Sequence, residues 1–197
     1  YCAVNTRPDV SYAVGLLCRA MGKPTVELYE AALRVLFYLH WHRDVGLRYG
    51  GATERDLSGM SDSDWAVRHS TSGYVFLYSQ AAISWGSKRQ TSVALSSCEA
   101  EIVALNEASK ECVYLNRFLD ELGFGTRHGP PRLATDNSAA RDLPYNPEHH
   151  ENMKHVERRH FYVRELVEEQ QMVVPFVSTV DNMADFFTKP LEPKLFF

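Results

Sequence analysis

The sequence predicts an α/β chain, a mixed five-stranded sheet flanked by helices and preceded by a small helical segment. Three observations predict it. The runs GMSDSDWA, TSGYVFLY and AAISWGSK are rich in aromatic and β-branched residues and joined by short turns, the pattern of an antiparallel meander. A long helical stretch from about Ser97 to Leu122 follows them, ended by Gly123. Beyond it, strand and helix patterns alternate, which adds two more strands beside helices.

The opening fifty residues read as helical. Asn5 or Thr6 can cap a helix starting near Pro8, with Val10, Ala13, Val14, Leu17 and Met21 at helical spacing. After the break at Gly22, Lys23 and Pro24, a second helix spans about Val26 to His42. Its stripe is Leu28, Ala31, Ala32, Val35, Leu36 and Leu39. LRYG reads as a short strand, and GGATERDLSG as a polar linker that marks the domain boundary, giving 1–50 and 51–197. In the second part, PRLATD is a strand and a short helix begins at Asn137 or Ser138. A helix from about His155 to Gln170, a strand VVPFVS and a short helix around Met183 to Phe187 complete the pattern.

Composition narrows the class. With 197 residues and 45% hydrophobic content, the chain has enough for one full core and a smaller attachment. No apolar run approaches the roughly 20 residues that span a bilayer, so no membrane partner is expected. The first residues lack the pattern of a signal peptide, and a start at Tyr1 reads as a piece of a longer chain. Cys2, Cys18, Cys98 and Cys112 lack metal-site spacing and read as small buried hydrophobes in a reducing compartment. The net charge of −4 argues weakly against nucleic acid, but a carboxylate site for metal is itself acidic. Lys88 and Arg89 lie together, and Lys154, Arg158, Arg159 and Arg164 fall in one stretch, either a solvated face or a phosphate contact.

Four acids stand out. Glu101 falls roughly 30° from the centre of the apolar stripe Ala104, Ala108, Leu115, Leu119 and Leu122, so it faces the sheet, whereas Glu99 points away. A bare carboxylate is costly to bury there, unless it is partly wet. Asp136 ends PRLATD where the carboxyl end of a strand opens onto a crevice, although an N-cap would also explain it. Asp62 and Asp64 share one face of the first strand, and periodicity does not choose between them. Asp181 reads as the N-cap of the last short helix, with Asp185 one turn inside it, where an ordinary surface acid is the simpler reading of Asp185 alone. Together these acids suit Mg²⁺, which takes hard oxygen ligands, and two ions about 3.5–4 Å apart serve phosphate hydrolysis.

At these residues the chain resembles the end of the Pol polyprotein of copia-type LTR retrotransposons. Residues 1 to about 50, with NTRPDVSYAVGLLCRAM and ALRVLFYLH, resemble the C-terminal end of the reverse transcriptase. The segments from SDSDWA through STSGYVFL, AISWGSKRQ, VALSSCEAEIVAL, TDNSAA, KHVERRHFYVRELVE and VDNMADFFTKPL resemble the family's RNase H domain. The resemblance implies an RNase H fold and an endoribonuclease that cuts the RNA strand of an RNA–DNA hybrid during reverse transcription. It implies metal ligation and catalysis by Asp62, Glu101, Asp136 and Asp185, with Asp64 as the fallback for Asp62. It further implies two Mg²⁺ ions, with Mn²⁺ able to substitute, and the hybrid and the remainder of the polyprotein as partners. The implied location is intracellular, in cytoplasmic virus-like particles, with the nucleus as a second site.

Two features depart from cellular RNases H. No His lies between Phe176 and Asp185, and no basic helical protrusion is present to grip the hybrid. The spacing of His149, His150, His155 and His160 fits no zinc signature and favours structural or hybrid-contacting roles. Two other readings keep the fold: a catalytically silent module that binds nucleic acid or supports the polymerase, and an integrase-like strand transferase. Intact acids count against the first, and the KHVERRHFYVRELVE segment against the second.

Overall fold

A computed structural model describes residues 1–50, 56–66, 68–125, 129–142, 144–145, 157–192 and 196, with residues 157–160 described in backbone only. The linker 51–55, His149, His150, His155 and Lys154 lie outside the described residues, as do the side chains of Arg158, Arg159 and His160.

The sheet order is β3-β2-β1-β4, with β1 Leu57–Asp64, β2 Thr71–Tyr78, β3 Ala81–Arg89 and β4 Arg132–Ala134. β1, β2 and β3 form the expected meander, Asp62 facing Gly73 in the register, and β4 adds parallel to β1. β1 begins at Leu57, inside the stretch expected to be linker, because Leu57 is a core residue that pairs with Tyr78. Glycine within a strand leaves a hole, and here rings cover it: Phe76 lies over Gly59 and Tyr74 over Gly86.

The sheet has four strands rather than the expected five. VVPFVS does run parallel beside β4, but it makes only isolated bridges, Arg132 with Val173 and Thr135 with Phe176. Val173 donates to Pro131, Leu133 to Val173, Thr135 to Pro175 and Val177 to Thr135, at 2.9–3.2 Å. The bond the ladder lacks is the one Pro175 would donate, because proline has no N–H.

Two layers cover the sheet. On one face, α4 Ser97–Glu121 and α6 Glu157–Glu168 bury Leu105, Cys112, Leu115, Leu119, Val163 and Leu166 against Leu57, Phe76 and Leu133. Alternation along β2 sends Val75 and Leu77 to the other face, where Phe186 and Phe187 pack with Met60 and Trp85. Ser96 caps α4 by accepting from Glu99 N at 3.1 Å, and Gly123, with φ +76, lets the chain turn out of the helix. Leu122, placed on the stripe by spacing, is exposed because the helix ends at Glu121.

The first helices are α1 Cys2–Asn5, α2 Ser11–Arg19 and α3 Val26–Trp41, with a 3₁₀ turn Pro8–Val10 ahead of α2. Neither Asn5 nor Thr6 caps that turn, since Asn5 and Thr6 side chains bond back to Tyr1 and Cys2 carbonyls. LRYG forms no strand; instead Leu47 packs beside Val75, and Tyr49 donates to the Ala82 carbonyl at 2.7 Å. The segment is tied to the sheet: Trp85 donates to Ala3 O and Arg19 to Thr71 Oγ1. Leu36, put on the inner stripe by spacing, belongs to an exposed outer stripe with Val26, Tyr29, Phe37 and Trp41. Burial of the cysteines holds for Cys112 alone; Cys98 is intermediate, and Cys2 and Cys18 are exposed on short helices that bury little. Among the described residues, no helix is long and apolar enough to cross a membrane.

At Gly73 the close neighbours include backbone and Cβ atoms that a side-chain rotation cannot move. A Cβ there would lie 2.6 Å from Thr188 Cγ2, 2.8 Å from Phe187 Cβ and 3.0 Å from Ala184 O. We predict that Gly73→Ala destabilises the chain by about 1–3 kcal/mol in chemical denaturation, the usual cost of overpacking. An unchanged midpoint would mean that the 183–188 segment does not need this contact.

Candidate active site

β1 and β4 are parallel neighbours, so their carboxyl ends open at the same edge, the usual place for a ligand crevice in such sheets. Asp62 stands near the end of β1, and Asp136 two residues past β4. Asn137 releases Asp136 from capping duty by accepting from Ala140 N at 3.0 Å with its own Oδ1, at the start of α5 Ser138–Asp142. A 3₁₀ helix, Met183–Phe187, lies against β1 and β2 and delivers Asp185.

The delivery depends on Asn182. Its Oδ1 accepts from Ala184 N at 3.1 Å, and its Nδ2 donates to Ser61 O at 3.2 Å in a buried position. One side chain therefore caps the 3₁₀ helix and pins it to the strand carrying Asp62. Asp181, expected as that cap, ends the preceding turn and accepts from Ser178 Oγ. Thr188 and Lys189, three and four residues past Asp185, fall on the same side of the turn. The Thr188 hydroxyl donates to Asp62 Oδ2, and Lys189 Nζ lies 2.8 Å from Asp185 Oδ2. Pro190 stops the turn from propagating.

Ligand atoms of Asp62, Asp136 and Asp185 lie within 4.8 Å of one another. Asp62 and Asp185 are buried and Asp136 is half-buried. Asp64 is exposed at the end of β1 and outside this group, so the structure separates the two aspartates that periodicity left equivalent. Glu101 is buried on the sheet-facing side of α4, and its Oε1 accepts from Ser63 N at 3.2 Å. It is not within the tight group of three, but it hydrogen-bonds the residue beside Asp62. Gln90 holds the start of α4 in place, donating to Ser72 Oγ and Ala100 O at 2.9 Å. Asn182, Thr188, Lys189, Gly73 and Gln90 were not singled out from sequence. An Asn three residues before an acid, and a Thr-Lys pair three and four after it, are the only sequence signals for the first three.

The electrostatics follow from confinement. Burial, then the charges of Asp62 and Asp136, push the Glu101 carboxyl up to about 8. Burial and the charges of Asp185 and Asp136 push Asp62 up to about 6, against the Thr188 hydrogen bond and Lys189. Lys189 is held above its ordinary value: burial lowers it, but the hydrogen bond to Asp185 and the surrounding acids outweigh that. Two unit charges about 4 Å apart repel by about 4 kcal/mol at an effective dielectric near 20, so one lysine cannot neutralise this group. Asp185 Oδ1 and Glu101 Oε2 are buried without a hydrogen-bond partner, as are the Ser61 and Ser63 hydroxyls on either side of Asp62, whereas buried polar atoms generally have one. Carboxylate oxygens clustered and unpartnered in this way fit hard divalent cations such as Mg²⁺.

These features define a class: an RNase H-like α/β fold with a carboxylate cluster at the carboxyl ends of two parallel strands. Solved structures agree on the fold. LC11-RNase H1 in complex with RNA/DNA hybrid matches with TM-score 0.53 and 12% identity over 68% of this chain and 94% of that one. The foamy viral protease-reverse transcriptase in complex with RNA/DNA hybrid matches 96% of this chain and 24% of that one, with TM-score 0.53 and 14% identity. No protein-family profile matches the chain. The retrovirus-related Pol polyprotein from transposon TNT 1-94 of Nicotiana tabacum is 39% identical over 193 residues, 96% of this chain. That from transposon RE2 of Arabidopsis thaliana is 39% identical over 190 residues, 94% of this chain. The chain belongs to the copia-type, retrovirus-related Pol polyprotein family. It spans about 14% of the length of the TNT 1-94 polyprotein and 13% of RE2.

The raised carboxyls make stability depend on pH in a definite direction. Glu101 and Asp62 bind protons more tightly folded than unfolded, so their contribution is full below the unfolded carboxylate values and is lost as pH rises. Without divalent cations, melting temperature should fall as pH rises through about 6 and on through about 8, the values of Asp62 and Glu101. Adding Mg²⁺ should flatten that fall by binding the ionised acids. Calorimetry across this range checks it, and a melting temperature that rises over the same window contradicts the burial assigned to Glu101.

Proposed function

We propose that the chain is a ribonuclease H, a metal-dependent endoribonuclease cutting the RNA strand of RNA–DNA hybrids during retrotransposon reverse transcription. The observation that carries this reading is the meeting of Asp62, Asp136 and Asp185 within 4.8 Å, from three elements distant in sequence, with Glu101 buried alongside. In this reading Asp62, Glu101, Asp136 and Asp185 are both the catalytic and the metal-holding residues. Two Mg²⁺ ions, or Mn²⁺ in their place, would when bound supply an activated water for in-line attack on the phosphodiester and stabilise the departing 3′ oxygen.

The chain's own residues do the positioning. Asp62 and Asp185 are fixed by Thr188 and Asn182, so their oxygens meet a cation without further ordering. Asp136, half-buried, stands at the open side where a backbone phosphate can approach. Choice of RNA over DNA would come from 2′-hydroxyl contacts across the wide minor groove of the hybrid rather than from base edges. Residues 1–50 are read as the C-terminal end of the reverse transcriptase and 51–197 as the RNase H domain. The exposed stripe Val26, Tyr29, Leu36, Phe37 and Trp41 supports that reading, because a helix apolar on two faces is normally covered, here by the rest of the polyprotein. Such a protein would act in cytoplasmic virus-like particles and in the nucleus.

Asp136→Asn should lower Mg²⁺-dependent cleavage of a labelled RNA–DNA hybrid by at least about 100-fold, beyond what outer partners of metal ligands contribute. Circular dichroism should show the fold kept, because the side chain is half-buried and caps nothing. Retained cleavage refutes the site. A wild-type chain that binds hybrid but never cuts it supports a silent module, and equal cutting of duplex DNA supports a strand transferase.

A further inference from the structure

Lys189 is the cation nearest the acid cluster among the described residues. Its ammonium lies 2.8 Å from Asp185 Oδ2, and its charge also acts on Asp62 and Asp136. The contact is built in by the chain: Lys189 N donates to Asp185 O at 3.3 Å, closing a turn that returns the side chain to its own acid four residues back. The side chain is 36% exposed, so the ammonium held by this ion pair stays within reach of solvent.

We propose that Lys189 is an internal antagonist of the divalent cations, a positioning residue whose charge sets the metal concentration at which the site loads. This rests on the ribonuclease H reading of the same acids. Two effects act in one direction. An ion coordinated through Asp185 Oδ2 must displace the ammonium. An ion coordinated through the unpartnered Oδ1 avoids displacement but still meets a positive charge on the other oxygen of the same carboxylate. Thr188 makes no such demand, because a hydroxyl on Asp62 carries no net charge. The consequence is a site that is partly compensated at low divalent concentration and gives up its lysine only when metal is available.

The test is Mn²⁺ binding to the 197-residue chain, followed by the electron paramagnetic resonance signal of free Mn²⁺ at fixed pH and ionic strength. Lys189→Met removes the charge and keeps the aliphatic stem; Lys189→Arg keeps the charge. Lys189→Met should bind Mn²⁺ roughly twofold to fivefold tighter than wild type, the span expected of a partly exposed ion pair, and Lys189→Arg should stay close to wild type. Mn²⁺ binding that is unchanged or weaker in Lys189→Met overturns the antagonism while leaving the metal site standing. Absence of Mn²⁺ binding in the wild type and both variants overturns the antagonism and the ribonuclease H reading together.

Discussion

Mutual repulsion among carboxylates that the backbone forces into one place is the constraint on which this structure turns. Asp62, Asp136 and Asp185 would drift apart if they stood on flexible segments. They do not, because each is delivered by an element with its own reasons for being where it is: a central strand, the end of its parallel neighbour, and a 3₁₀ helix pinned by Asn182 and seated over Gly73. The fold supplies the energy to hold like charges together, and the deficit appears as carboxyls that release their protons late. A cation is the natural relief of that deficit.

The seat over Gly73 links packing to chemistry. Phe187 and Phe186 fill the second face of the sheet, opposite α4, and in doing so set the height of the turn that carries Asp185, Thr188 and Lys189. A hydrophobic contact thus fixes a polar geometry. The same economy appears at α4, where Gln90 ties the first turn to β2 and so sets the depth at which Glu101 enters.

Much of this was legible in the residues, for physical reasons that also explain the misses. Aromatic and β-branched composition between short turns located β2 and β3, whose two faces each meet a separate core. Helical periodicity located α4 and turned Glu101 inward. Periodicity could not separate Asp62 from Asp64, since both point the same way; what separates them is where the strand runs out, a tertiary fact. VVPFVS has a strand's composition, and one missing N–H at Pro175 keeps it from becoming one. Asn182 took the capping role from Asp181 because its amide can serve the helix and β1 at once, which an acid lacking a donor cannot do. Membership of the copia-type family connects the chain to proteins several times its length, and the exposed face of α3 is consistent with a segment built to be covered.

We propose that the four acids form one receptacle for two divalent ions. Diffraction from crystals of the chain grown with Mn²⁺ and a hybrid made uncleavable by 2′-O-methylation tests it most directly, because manganese is located by its anomalous signal. Two peaks about 3.5–4 Å apart are predicted among the carboxylates of Asp62, Glu101, Asp136 and Asp185. Manganese bound elsewhere, or an ion at the aspartates with Glu101 turned away from it, would contradict the account.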